Sequence, residues 1–349
     1  MWKNRFKNIV FEGGGVKGIA YIGALEALEK SEVISSIQRV GGTSAGAITA
    51  LIVGLGIKSK DMLEFIKGKD LQTIEDNEVL DVLDVARLLT KYGWNKGEVV
   101  RKWIGDAIEF ATGNVNSTFE DIKQVQKEKN FKDMYFVGTN LSTHSYKIYC
   151  HELTPKTRLI DAVEISTSIP LYFTAKTDEE RNYYVDGGVL MNYPIRLFDE
   201  KGFIEDTELW SVQDVEVPKS YKLANEKKTE LVINNITETE YKPNLETIGF
   251  RLESEDKILF YHTKEAVVNE INNIYDFTKH LIKTLREFKN YTYLNDIDMS
   301  RTIFLDVTGV NTTDWNISPE KMEKIIANAY NSTKTYLEKF EINVPNYSE

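Results

Sequence analysis

The sequence predicts an α/β fold, a central sheet flanked by helices, and three observations carry that expectation. The first is a pattern that occurs twice near the N-terminus, in which an apolar strand runs into a glycine turn and then into a helix. Asn8-Ile9-Val10-Phe11 leads into Glu12-Gly13-Gly14-Gly15-Val16-Lys17-Gly18, and the strand end Ile37–Val40 leads into Gly41-Gly42-Thr43-Ser44-Ala45-Gly46. The second is a set of further strand-like segments, at Met134–Thr139, Tyr146–Cys150, Tyr183–Asp186, Thr247–Leu252 and Thr302–Val307, spaced by helical periodicity. The third is size. The 349 residues, 42% of them hydrophobic, suffice for a large core, with only seven prolines and no repeat or low-complexity run.

The first glycine turn opens a helix. From Ile19 to Lys30, Ile19, Ile22, Leu25 and Leu28 recur at helical spacing. Main-chain N–H groups at such a terminus point outward and favour an anion. Gly13, Gly15 and Gly18 satisfy the G-x-G-x-x-G dinucleotide pattern, yet the next strand ends in a second glycine turn where a ribose-binding acid is required. A P-loop fails because Ile19 follows Gly18 where lysine is needed. An oxyanion hole built from the N–H groups of Gly14 and Gly15, with Lys17 adding positive charge, is favoured because it explains both turns together.

In the second turn, Gly42-Thr43-Ser44-Ala45-Gly46 has the Gly-x-Ser-x-Gly form of a nucleophile elbow. A sharp strand-to-helix turn would lift Ser44 Oγ clear of the sheet. It would leave no room for a Cβ at Gly42 or Gly46, and it would aim the Ala45 N–H at a developing oxyanion. Ala45–Leu55 is small and apolar, as a helix packed on a sheet requires. It is too short to span a bilayer.

Tyr183-Tyr184-Val185-Asp186-Gly187-Gly188 is a strand that ends in an aspartate and two glycines. With the two earlier turns it completes a set that resembles the patatin-like phospholipases, a family similar to cytosolic phospholipase A2. The resemblance implies a three-layer fold with a mostly parallel sheet, and a serine–aspartate dyad of Ser44 and Asp186. It implies an oxyanion hole at Gly14, Gly15 and Ala45, supported by Gly13, Lys17, Gly18, Gly42, Gly46, Gly187 and Gly188. It further implies cleavage of fatty-acyl esters, phospholipase A or lysophospholipase in type, at a membrane surface. No metal or cofactor is expected, and the family pattern leaves room for a protein activator. Residues 6–340 are expected to form one domain, with 58–130 a helical cap and 214–245 a surface excursion. The segment Ser166–Phe173 resembles the one that lines the acyl pocket.

Other residues compete for these roles. His144 and His151 flank a strand but precede Asp186, whereas an α/β-hydrolase histidine follows the acid, and His262 and His280 lie in charged helical stretches. All four are expected to be structural or solvated. Ser166 and Ser168 lack a glycine elbow and read as helix-end hydroxyls. Cys150 cannot form an internal disulfide, so a reducing compartment and a buried thiol are expected. No apolar signal segment follows the basic N-terminus, which points to a cytoplasmic protein peripheral to membranes. The net charge of −11, from 54 acidic and 43 basic residues, disfavours non-specific nucleic-acid binding. Lys58, Lys60, Lys67 and Lys69 form a locally basic edge. Two further classes remain open: a catalytically silent lipid- or phosphate-binding module, and a dinucleotide-binding oxidoreductase.

Overall fold

In a computed structural model of the protein, residues 5–67, 71–74, 90–204, 240–263 and 294–342 are described. The strand-like run Thr207–Val212 lies outside them, as do most of the 214–245 excursion and residues 264–290, a charged stretch that reads as helical.

The core strand is β1 (Asn8–Phe11), whose four residues are all buried. A strand apolar on both faces belongs in the interior of a parallel sheet. It lies between β2 (Arg39–Thr43) and β9 (Thr247–Glu253), parallel to both. Next, β10 (Thr302–Asp306) adds to β9, and β4 (Asp133–Asn140) adds to β2, both in parallel. The rest is antiparallel. β5 (Ser145–Tyr149) and β8 (Tyr183–Asp186) pair with β4, and β7 (Lys176–Thr177) pairs with β8. The sheet is therefore mixed, with its parallel part centred on β1.

Alternate residues of β1 enter different layers, as a period-2 strand dictates. Ile9 and Phe11 pack into a large cluster with the helices, while Val10 packs on the other face with Tyr135, Ile195, Leu197, Phe198 and Phe203. The helical layer includes α1 (Ala20–Lys30), α2 (Ala45–Gly54) and the long C-terminal α9 (Pro319–Ile342). α1 and α9 approach so closely that a Cβ on Gly23 would lie 1.9 Å from Ile326 O. Ser318, followed by Pro319 as suits a helix start, accepts the Lys321 amide at 3.3 Å.

The segment expected to be a helical cap is more varied. After α3 (Ser59–Lys67) comes a short strand, β3 (Gly93–Asn95), paired with β6 (Leu171–Phe173). Then follow α4 (Glu98–Thr112) and α5 (Phe119–Lys129). These two helices bury Ile104, Ile108, Phe119 and Ile122 in the main core. Arg101 of α4 also pairs with Asp161 and Glu164 on α6 (Leu159–Ser166). Residues 75–89 of this segment lie outside the described part. Of the basic edge, Lys58 and Lys60 are exposed. α7 (Glu255–Thr263) and α8 (Asp296–Ser300) complete the described helices.

Candidate active site

β2 runs further than the sequence suggests, through both glycines to Thr43. The reason is proximity. A Cβ on Gly41 would lie 2.4 Å from Leu197 Cδ2, and one on Gly42 would lie 2.2 Å from Gly46 O. Ser44 then takes φ 55° and ψ −126°, a conformation that costs a non-glycine residue on the order of 1–3 kcal/mol. Its carbonyl immediately accepts the Ala47 and Ile48 amides, at 2.8 and 3.2 Å, so α2 begins within one residue of the turn. Gly46 backs onto the end of β1, where a Cβ would lie 2.3 Å from Phe11 O. The chain thus makes a sharp strand-to-helix turn at Ser44, and Ser44 is buried within it.

The register of β4 explains how Ser44 meets a residue 142 positions later in the chain. Val137 pairs with Thr43 of β2 and with Ile148 of β5, which places β2 and β5 on opposite edges of β4. Gly138 pairs with Lys147 of β5 and with Asp186 of β8, so β8 shares the edge that β2 occupies. β2 and β8 therefore run towards each other along that edge, and their C-terminal ends meet at neighbouring positions of β4. Gly187 permits the approach, since a Cβ there would lie 2.3 Å from Val137 O.

At this junction the Ser44 hydroxyl stands beside the Asp186 carboxyl and favours its charged form. Asp186 Oδ1 also accepts the Gly188 amide at 2.7 Å, and the Asp186 amide donates to Ser168 O at 2.8 Å. The carboxyl is buried, and desolvation pushes its pKa up to about 6, while Ser44 and the Gly188 amide pull it back. A carboxylate held this way is a stronger base than one in water.

The first glycine loop lies against the elbow. A Cβ on Gly13 would lie 3.1 Å from Ser44 Cβ, and one on Gly18 would lie 2.9 Å from Ala45 Cβ. Gly15 adopts φ 56°, with Thr312 O only 2.0 Å from where a Cβ would stand, so side chains are barred there by both angle and space. A short 3-10 turn, Gly15–Ile19, leads into α1. The Val16 amide donates to Thr312 O and the Lys17 amide to Gly14 O. Among the described residues, the amides of Gly14, Gly15 and Ala45 have no protein acceptor. Lys17 lies on the same loop, and its charge is felt by Glu12.

The competing candidates fall elsewhere. Ser168 Oγ bonds back to Glu164 O at 2.7 Å. His144 sits at φ 56° in the β4–β5 turn, and His151 follows β5. Cys150 is free and fully buried, which raises its pKa beyond the physiological range. The His262 side chain and His280 lie outside the described part. Within the Ser166–Phe173 segment, Leu171 is exposed, Phe173 is buried, and Tyr172 accepts the Trp315 indole N–H at 2.6 Å. Sequence reasoning missed the supporting role of Ser166, whose Oγ accepts the Ser44 amide at 3.0 Å and donates to Val137 O at 2.6 Å. It also passed over Glu12 and Asn192 as more than motif neighbours. Glu12 is a buried carboxyl directly before the glycine loop, a local signal that could have flagged it.

Comparison with known proteins bears on the family and the fold. Residues 9–199, more than half of the chain, match the family model described as patatin-like phospholipase. The chain is 33% identical over 201 residues to YqhO of Bacillus subtilis (strain 168), covering 55% of this chain and 66% of that protein. It thus spans just under two thirds of the length of that curated relative. It is 25% identical over 231 residues to a protein of Invertebrate iridescent virus 6 named "Probable lipid hydrolase 463L", covering 63% and 76%. In fold it is similar to the crystal structure of VipD from Legionella pneumophila, with a TM-score of 0.57 at 18% identity, covering 96% of this chain and 67% of that one. The chain belongs to the patatin-like phospholipase family.

Proposed function

We propose that the protein is a lipid acyl hydrolase of the phospholipase A or lysophospholipase type, working through Ser44 and Asp186. The observation that carries this reading is the meeting, at neighbouring positions of β4, of a serine on a strained turn and a buried carboxyl of raised pKa. Ser44 Oγ attacks the ester carbonyl carbon as Asp186 takes its proton, directly or through water. The negative charge moves to the carbonyl oxygen, where the free amides of Gly14, Gly15 and Ala45 meet it. Collapse of the intermediate expels the alcohol, which takes the proton from Asp186 and leaves an acyl-serine. Water then attacks the acyl-serine with Asp186 again as base, releasing the fatty acid and restoring Ser44.

Aspartate is a weaker base than imidazole, and burial narrows the gap by raising its pKa. This reading takes residues 6–340 as one acyl-hydrolase domain. The family and the name of the viral relative support a lipid ester as substrate. No helix among the described residues is long and apolar enough to cross a membrane, so the substrate is expected to be met at a bilayer surface. Fatty-acid release from phosphatidylcholine vesicles and from a monoacyl lipid tests the proposal. Native protein should release acid and Ser44→Ala should not. Release that survives Ser44→Ala would refute it.

A further inference from the structure

Asn192 occupies a position that the proposed reaction leaves without a role. Its backbone carbonyl accepts the Gly13 amide at 2.9 Å, and its side-chain Nδ2 donates back to Gly13 O at 3.1 Å. Gly13 is therefore held from both sides. The same Nδ2 donates to Glu12 Oε1 at 3.2 Å, and the other oxygen, Glu12 Oε2, accepts the Leu252 amide at 2.8 Å. These partners fix the orientation of the amide, because two acceptors face one atom and only nitrogen can donate to both. Asn192 also reaches the opposite half of the site. A Cβ on Gly188 would lie 2.7 Å from Asn192 Oδ1 and 3.0 Å from Asp186 Oδ1. One side chain thus touches both the loop that offers the Gly14 and Gly15 amides and the turn that carries Asp186.

Glu12 anchors this node to the sheet. Its amide donates to Phe250 O at 3.1 Å and its carbonyl accepts the Tyr21 hydroxyl at 2.6 Å. Both carboxyl oxygens act as acceptors, which suits the ionised form and suits glutamine poorly, since an amide NH₂ would confront either Leu252 N–H or Asn192 Nδ2. The groups that bear on this carboxyl are Arg251 and Glu253 of β9, Lys17 of the glycine loop, Tyr21 of α1 and Tyr193. Arg251 Nε lies 3.8 Å from Glu12 Oε1, and the guanidinium is shared with Glu253 at 2.8 Å.

We propose that Glu12 and Asn192 form a clamp that sets the position of the Gly14 and Gly15 amides relative to Asp186. Both are positioning residues for the oxyanion hole, and the clamp is tightest when Glu12 is ionised. The proposal rests on the acyl-hydrolase reading and specifies what holds its two halves in register. Burial pushes the Glu12 carboxyl up, while Arg251 draws it back down, so its ionisation falls above the usual carboxylate range.

The test compares native protein with Glu12→Gln and, separately, Asn192→Ala. It measures kcat and KM on a soluble monoacyl ester from pH 5 to 9, with thermal melting as the control for folding. Displaced donors should lower kcat on the order of 10²-fold while KM moves less. In Glu12→Gln the pH profile should also lose an ionisation, leaving that of Asp186. A folded variant of either residue that keeps native kcat, or Glu12→Gln with the native pH profile, would overturn the clamp. Native protein that labels at Ser44 but responds to neither substitution would sink the clamp alone. Native protein without turnover or labelling would sink the dyad reading and the clamp with it.

Discussion

The Ser44 amide donates to Ser166 Oγ at 3.0 Å, and Ser166 Oγ donates in turn to Val137 O at 2.6 Å. One fully buried hydroxyl thus links the backbone of the proposed nucleophile to the strand on whose edge Asp186 also sits. Ser166 is therefore expected to hold the elbow in its strained conformation.

Ser166→Ala removes the acceptor of one buried amide and the donor to one buried carbonyl. An unsatisfied buried group costs about 1–3 kcal/mol. The variant should melt at lower temperature and lose about tenfold or more in kcat with KM little changed, since the nucleophile is misplaced and binding is untouched. Melting and steady-state kinetics check both parts. A variant with native kcat would show that the elbow holds itself.

Asp186 couples activity to stability with opposite signs. Its folded pKa is about 6 against an ordinary value of 3.8. Because the folded value is the higher one, the stabilising contribution of the neutral form is complete below about pH 4 and is lost as pH rises through about 6. At neutral pH the buried charge then costs about 2–3 kcal/mol. Asp186→Asn should thus melt higher than the native protein at pH 8, with the gap closing towards pH 4, while turnover disappears. In the native protein kcat should fall below about pH 6 as the base takes up a proton. Melting curves and rate profiles across pH 4–8 test the two signs separately.

The elbow tolerates no side chain. A Cβ on Gly42 would lie 2.2 Å from Gly46 O and 2.4 Å from Gly46 C, and backbone in a packed turn cannot move aside. Gly42→Ala should cost about 2–4 kcal/mol. Gly113 makes a useful contrast, with φ 77° but nothing within 4 Å of where a Cβ would stand. Gly113→Ala should cost only about 1 kcal/mol, from its left-handed backbone. Equal losses in the two variants, measured by denaturant unfolding, would contradict this account of the turn.

The parts of the site that were legible in the sequence are those whose cause is local. β1, the helix after Ser44 and the strand ending at Asp186 each announce themselves through a run of buried residues or a glycine pair. What was not legible depends on contacts distant in sequence. β2 continues through Gly41 and Gly42, where Leu197 and the turn at Gly46 leave no room for side chains, whereas glycines in sequence read as strand breakers. β3 sits in a stretch of helical periodicity because Gly93 and Asn95 pair with Leu171 and Phe173. Ser166 supports Ser44 across 122 positions, and no spacing rule reveals that. The meeting of β2 and β8 on one edge of β4 is likewise a property of register, which motifs do not encode.

The most direct test of the account is covalent labelling by a reactive fluorophosphonate, read by intact mass and compared among native protein, Ser44→Ala and Asp186→Asn. It requires no choice of lipid and reports on nucleophilicity alone. The native protein should take a single adduct, Ser44→Ala none, and Asp186→Asn should label slowly. Undiminished labelling of Ser44→Ala, or a native protein that takes no label, would contradict it.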